Sequence, residues 1–130
     1  MKIQLTSIYV DDQAKALRFY TEVLGFVKKA DFGQGSYRWL TVVSAEDPEG
    51  TQLQLAANDN PAAKAYQQAL FAQGQPAVMF FTTDVQADCD RIVAQGGELA
   101  MPPTEVTASK IAKVNDGCGN LVQITELKKW

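Results

Sequence analysis

The sequence predicts an α+β domain: two tandem βαβββ modules whose strands form a curved mixed β-sheet with the helices on its outer face. Two observations carry this expectation. Residues 47–55 (DPEGTQLQL) and 116–124 (DGCGNLVQI) align at a constant offset, matching Asp47 with Asp116, Gly50 with Gly119, Leu53 with Val122, Gln54 with Gln123 and Leu55 with Ile124. Residues 10–26 (VDDQAKALRFYTEVLGF) and 82–98 (TTDVQADCDRIVAQGGE) both set an Asp where a helix begins and a Gly where it ends. Two copies of one small unit leave a cleft where they meet, and ligands favour such internal interfaces. The 130 residues suit one compact domain, with modules of about 1–57 and 75–130 joined by a helix over 60–73.

The elements follow in order. Residues 2–9 contain β-formers in partial alternation and read as a strand. Asp12 caps a helix with Ala16, Leu17, Tyr20, Val23 and Leu24 on one face, and Gly25 ends it. Residues 26–32 and 36–44 read as strands turned at Gly33 and Gly35, and 50–56 as a fourth strand. Asn60, Pro61 and Gly74 punctuate the joining helix. The pattern then restarts: a strand at 77–82, and a helix capped by Asp84 with Val85, Cys89, Ile92 and Val93 inward. Strands are expected at 98–101, 105–114 and 119–126. With the helices on one side, a twisted sheet of two equal halves curls around its free face. The trough so formed, lined by alternate strand residues, is the expected place for function.

Composition removes several classes. The hydrophobic fraction of 46% is ordinary for a globular protein, and a net charge of −3 without a basic face argues against nucleic-acid binding. The KKW cluster at 128–130 reads as a solvated tail. No apolar stretch has membrane-spanning length, and the opening MKIQLTSIYV lacks the features of a signal peptide. Two cysteines make no disulfide framework: Cys89 reads as a buried hydrophobe, Cys118 as a turn residue, and the cytoplasm is the default location. The chain has no histidine. The commonest metal ligand is therefore missing, as is the base of a Ser–His–Asp triad.

The helix VDDQAKALRFYTEVLGF, an Asp-led helix with a Phe-Tyr pair and a Leu-Gly end, and the closing DGCGNLVQITE at 116–126 resemble the vicinal oxygen chelate superfamily. That superfamily includes glyoxalase I, extradiol dioxygenases, fosfomycin-resistance proteins and bleomycin-binding proteins. With the internal repeat, the resemblance covers nearly the whole chain and implies a single glyoxalase/bleomycin-resistance-type domain. It also implies where metal ligands would sit: His or Gln about seven residues before the helix-capping Asp, and Glu in the last strand of each module. Those positions hold Leu5, Gln54, Val78 (or Ala77 after a one-residue slip) and Gln123. Two apolar side chains and two neutral amides do not suit a divalent first-row metal, so no metal and no cofactor are expected.

Candidate ligand-binding residues are Gln54, Gln123, Tyr9, Leu5, Val78, Phe80 and Trp39. The two glutamines either bond each other or the backbone across the pseudo-twofold axis, or form the polar floor of an apolar pocket; the two roles are compatible. Tyr9 shares side-chain parity with Leu5, and Phe80 with Val78, while Trp39 matches Ala108 in the repeat. The aromatics either line the pocket or pack under the helices. Lys110 and Arg38 read as solvent-facing, and Asp11 and Asp12 as helix-start residues rather than an acid–base pair. The expected function is metal-independent sequestration or carriage of an apolar or aromatic small molecule, similar to the bleomycin-resistance branch. Metal-free members of that family commonly pair, so a homodimer is expected. The alternative is a metal-dependent lyase or dioxygenase of the glyoxalase or extradiol type, with carboxylates such as Glu98 or Glu126 brought into the cleft by a register shift; catalytic residues are not identifiable.

Overall fold

The fold was obtained as a computed structural model in which residues 1–128 are described. Lys129 and Trp130, within the KKW cluster, lie outside the described residues. The elements are β1 (Leu5–Val10), α1 (Gln13–Arg18), β2 (Val27–Gln34), β3 (Tyr37–Val43), β4 (Gln52–Ala57), α2 (Pro61–Ala72), β5 (Val78–Phe81), α3 (Val85–Ala94), β6 (Glu98–Glu105), β7 (Ser109–Asn115) and β8 (Leu121–Leu127). A π-helical turn, Phe19–Val23, prolongs α1. Asp12 and Asp84 cap α1 and α3 by accepting from the Lys15 and Ala87 amides at 2.9 and 3.0 Å. Among the described residues no helix is long and apolar enough to cross a membrane.

The strands form two four-stranded sheets, β1–β4–β3–β2 and β5–β8–β7–β6. In each, the first strand runs parallel to the last and the others are antiparallel. The α+β fold with two tandem modules is the one expected. β1 and β5 are edge strands, and among the described residues no ladder joins the two sheets. One face of each sheet is buried beneath helices: α1 packs on β4, and α3 on β6, β7 and β8. Ile8, Val10, Leu40, Val42, Leu53 and Leu55 from the first sheet join Val114, Val122 and Ile124 from the second in a single hydrophobic core.

β1 begins at Leu5 rather than at residue 2, and the boundaries of β6 and β7 shift further. β6 does not stop at residue 101 but continues to Glu105 through Pro102 and Pro103. Prolines cannot donate to a ladder, and the register slips between Met101 and Thr104. The strand persists because it is an edge strand, where missing donors leave no neighbour unsatisfied. β7 begins at Ser109 rather than 105, because Val106 N–H closes a turn onto the Ser109 carbonyl at 2.9 Å.

A buried polar cluster ties the modules together. The Asp116 carboxylate, 2% exposed, accepts from the Tyr20 hydroxyl at 2.7 Å, the Cys118 and Asn120 amides at 2.7 and 3.0 Å, and Asn120 Nδ2 at 2.8 Å. Asn120 Nδ2 also donates to the Tyr9 carbonyl at 2.7 Å. From α2, Gln67 Nε2 reaches the Cys118 carbonyl at 2.9 Å, and Gln67 Oε1 accepts from Asn58 at 2.7 Å. Burial, then the adjacent Asp116 carboxylate, push the Tyr20 phenol well above its ordinary pKa, so it stays a proton donor. Gly119 adopts φ +98°, and a Cβ there would lie 2.5 Å from Gln67 Nε2, so the turn requires glycine for both conformation and space. The repeat partner of Tyr20 is Ile92, and Asp47, the partner of Asp116, is exposed. The latch therefore exists once. Replacing Tyr20 with Phe removes a donor from a buried carboxylate and is expected to cost about 2 kcal/mol, read as a lower midpoint in urea unfolding with an unchanged slope.

Candidate functional site

Strand alternation assigns each residue beside the core to a face. With Ile8 and Val10 turned to the core, Leu5, Ser7 and Tyr9 project from the helix-free face of β1. The same parity places Gln52, Gln54 and Ala56 there on β4, and Trp39 and Thr41 on β3. Registers bring these into rows: Ser7 beside Gln54 beside Thr41, and Leu5 beside Gln52. Ser7 Oγ donates to Gln54 Oε1 at 2.8 Å, and Thr41 Oγ1 to Gln52 Oε1 at 2.7 Å. The second sheet repeats the plan with different side chains. Gln123 lies between Met79 and Lys113, and its amide donates to Thr125 Oγ1 at 3.1 Å. Gln54 and Gln123 thus each bond within their own module, not to each other, and each amide keeps polar capacity for a ligand.

The walls are apolar. Trp39 pairs across the β2–β3 hairpin with Phe32, and Tyr37 follows on the same face. Phe32 is 65% exposed and Tyr37 57%. On β5, Met79 and Phe81 share the face of Gln123, and Phe81 is 60% exposed. Large exposed apolar side chains grouped on one face mark an interaction site.

Val78 and Phe80 point the other way and pack against the core. Phe80 stacks edge-on against Phe26, centroids 4.8 Å apart, and lies 6.5 Å from Tyr20. It is therefore one of the contacts between modules, and a cleft opens beside it. A cavity of about 660 Å³ is lined by Leu24, Phe26, Ser44, Glu46, Met79, Phe81 and Arg91, among others. A neighbouring space of about 190 Å³, sharing Phe26, Ser44, Met79 and Phe80, reaches Gln52 and Val78. Met79 and Phe81 line this cleft as well as the open face of the second sheet. Of the sequence candidates, Leu5, Tyr9, Trp39 and Gln54 lie together on the first open face, Gln123 on the second, and Val78 and Phe80 in the cleft.

Sequence reasoning missed Ser7, Gln52, Thr41, Phe32, Tyr37, Met79 and Lys113. The available signal was the length of the β3–β4 connection. It spans Ser44–Thr51, three residues longer than Asp116–Asn120 in the second module. The constant offset therefore holds on the last strand but slips by three on the others. Register matches Trp39 with Ile111 rather than Ala108, and Thr41 with Lys113.

The residues do not fit a metal of the kind the resemblance implies. The groups facing Gln54 and Gln123 from the first strands are the Ser7 hydroxyl and the Met79 thioether. Two amides, a hydroxyl and a thioether supply no charge to balance a divalent ion. Among the described residues no three Cys, Asp or Glu side chains cluster as a ligand set. Glu126, which a register shift would have recruited, accepts from the Val85 amide at 2.8 Å and caps α3 instead.

This architecture defines a protein class. A sequence profile of the Glyoxalase/Bleomycin resistance protein/Dioxygenase superfamily matches residues 2–124, and the chain belongs to that superfamily. The uncharacterized protein YurT of Bacillus subtilis (strain 168) is 48% identical over 126 residues, covering 97% of this chain and 99% of its own. Among solved structures, UcmS2 superposes with a TM-score of 0.82 at 26% identity, covering 97% of this chain and 98% of its own. TnmS3, an antibiotic binding protein from Streptomyces sp. CB03234, superposes with a TM-score of 0.78 at 28% identity, covering 98% of this chain and 97% of its own.

Both cysteines are buried and free. Burial, then the Asp116 carboxylate, push the Cys118 thiol up to about 12, and burial raises Cys89 as well. A thiol with a raised pKa stays protonated and unreactive at neutral pH. At about pH 8 the native protein is expected to react with neither equivalent of Ellman's reagent within minutes, whereas the unfolded chain reacts at both; rapid labelling of the native protein would contradict this placement.

Proposed function

We propose that this protein binds an apolar or aromatic small molecule without a metal, on the amide-floored open face of its sheets and in the cleft beside β5, and so sequesters or carries it. The observation that carries the reading is the composition of that face. Gln54 supplies a neutral polar group on the first face beside Tyr9, Trp39 and Phe32, and Gln123 supplies one on the second beside Met79 and Phe81. An apolar lining with a few placed polar groups is what small-molecule sites offer. The likeness to TnmS3, an antibiotic binding protein, supports the same reading.

The reading includes a homodimer. β1 and β5 each present an unpaired edge, and Tyr9, Met79 and Phe81 stand exposed on them. A second chain would cover part of this surface and enclose the ligand more fully. The two free, buried thiols suit the reducing cytoplasm.

The test uses N-phenyl-1-naphthylamine, a neutral aromatic dye that fluoresces on leaving water. The protein is expected to bind it as a dimer in sedimentation, with an affinity unchanged by EDTA. Trp39→Ala, or Gln54→Ala with Gln123→Ala, is expected to weaken binding about tenfold. No binding, or binding abolished by EDTA and restored by a divalent metal, would overturn the proposal.

A further inference from the structure

The two open faces are not electrostatically equal. Register places Thr41 beside Gln54 in the first module but Lys113 beside Gln123 in the second. Val114 and Ala112, its chain neighbours, are fully buried in the core, so alternation sends the Lys113 side chain to the open face. Lys113 is half-buried, and its ammonium donates to the Gly74 carbonyl at 2.9 Å.

No carboxylate among the described residues forms an ion pair with it, nor with Lys2, Lys64 or Lys110, whereas Lys15, Lys28, Lys29 and Lys128 each have an acidic partner. Lys110, the other lysine of the strand, lies in register with Glu105 and Glu126. A partly desolvated ammonium normally gains a counter-charge from the fold. The Gly74 carbonyl occupies one of three N–H donors. No second acceptor for the ammonium is found among the described residues, and Lys113 lies in register beside Gln123.

Resting on the reading proposed above, we infer that the ligand carries an anionic oxygen group, a carboxylate, sulfonate or phenolate on its aromatic body, and that Lys113 receives it together with the Gln123 amide. Lys113 then selects the acid over its neutral analogue, because a charge-assisted hydrogen bond in a partly desolvated site exceeds any contact the neutral molecule gains there. The first module, where the buried Thr41 stands at the matching position, offers no such charge.

A pair of dyes tests this. 8-Anilinonaphthalene-1-sulfonate and N-phenyl-1-naphthylamine share the anilinonaphthalene body and differ by the sulfonate. Wild-type protein is expected to bind the sulfonate more tightly. Lys113→Met is expected to weaken the sulfonate about tenfold and the neutral dye less than about twofold, with Lys113→Arg restoring most of the loss. If Lys113→Met weakens both dyes equally, with a lower thermal midpoint, Lys113 only secures the end of α2 and the inference is overturned. An unchanged sulfonate affinity in Lys113→Met overturns it as well, while neutral-dye binding that still depends on Trp39 leaves the function proposed above standing. Binding of neither dye defeats both.

Discussion

The Asp116 carboxylate is the constraint on which the arrangement of the modules depends. A buried charge must be hydrogen-bonded or it is expelled, and here the donors come from the carboxylate's own turn and from the other module. Tyr20 comes from the turn after α1, Asn120 and the Cys118 amide from the β7–β8 turn, and Gln67 of α2 holds that turn from outside. The first module's helix is thereby fixed to the second module's last turn. Phe80 seats against Phe26 and Tyr20 of this latch, and the cleft beside β5 opens next to those rings.

The site follows from a second constraint, the covering of only one sheet face. Helices hide the aliphatic face of each strand, so the alternate residues become a lining. In this chain that lining carries amides, hydroxyls and aromatic rings where the family's metal chemistry would need imidazoles and carboxylates. Four acidic side chains are committed elsewhere: Asp12, Asp84 and Glu126 serve helix N-termini, and Asp116 the latch, while Glu46 and Asp88 line the cleft beside β5. Membership of the superfamily therefore does not by itself specify the chemistry of the lining.

Much of the fold was legible in the sequence because its signals are local or repeated. Asp12, Asp84 and Asn60 announce helix starts, Gly25 and Gly74 their ends, and the copied Asp-to-Gly turns announce the two modules. The site was legible only in part. Parity and the repeat placed Gln54, Gln123, Trp39 and Tyr9 on the open faces, where they lie. Phe32, Tyr37 and Met79 were not so placed, because cross-strand neighbours depend on register, and a longer β3–β4 connection shifts register without altering any periodicity. The latch was invisible for a different reason. Tyr20 and Asp116 are far apart in sequence and occur as a pair in only one direction of the repeat, since Ile92 replaces the tyrosine in the other copy.

The central claim is that the lining, and not a metal, does the binding. It is tested most directly by metal content after incubation with Ni²⁺, Zn²⁺, Mn²⁺ and Fe²⁺ and removal of the excess, read by mass spectrometry. The account predicts no stoichiometric retention of any of them, because amides, a hydroxyl and a thioether cannot balance a divalent charge. Retention near one ion per chain, lost on replacing Gln54 and Gln123, would contradict it and return the protein to the metal-dependent branch of its superfamily.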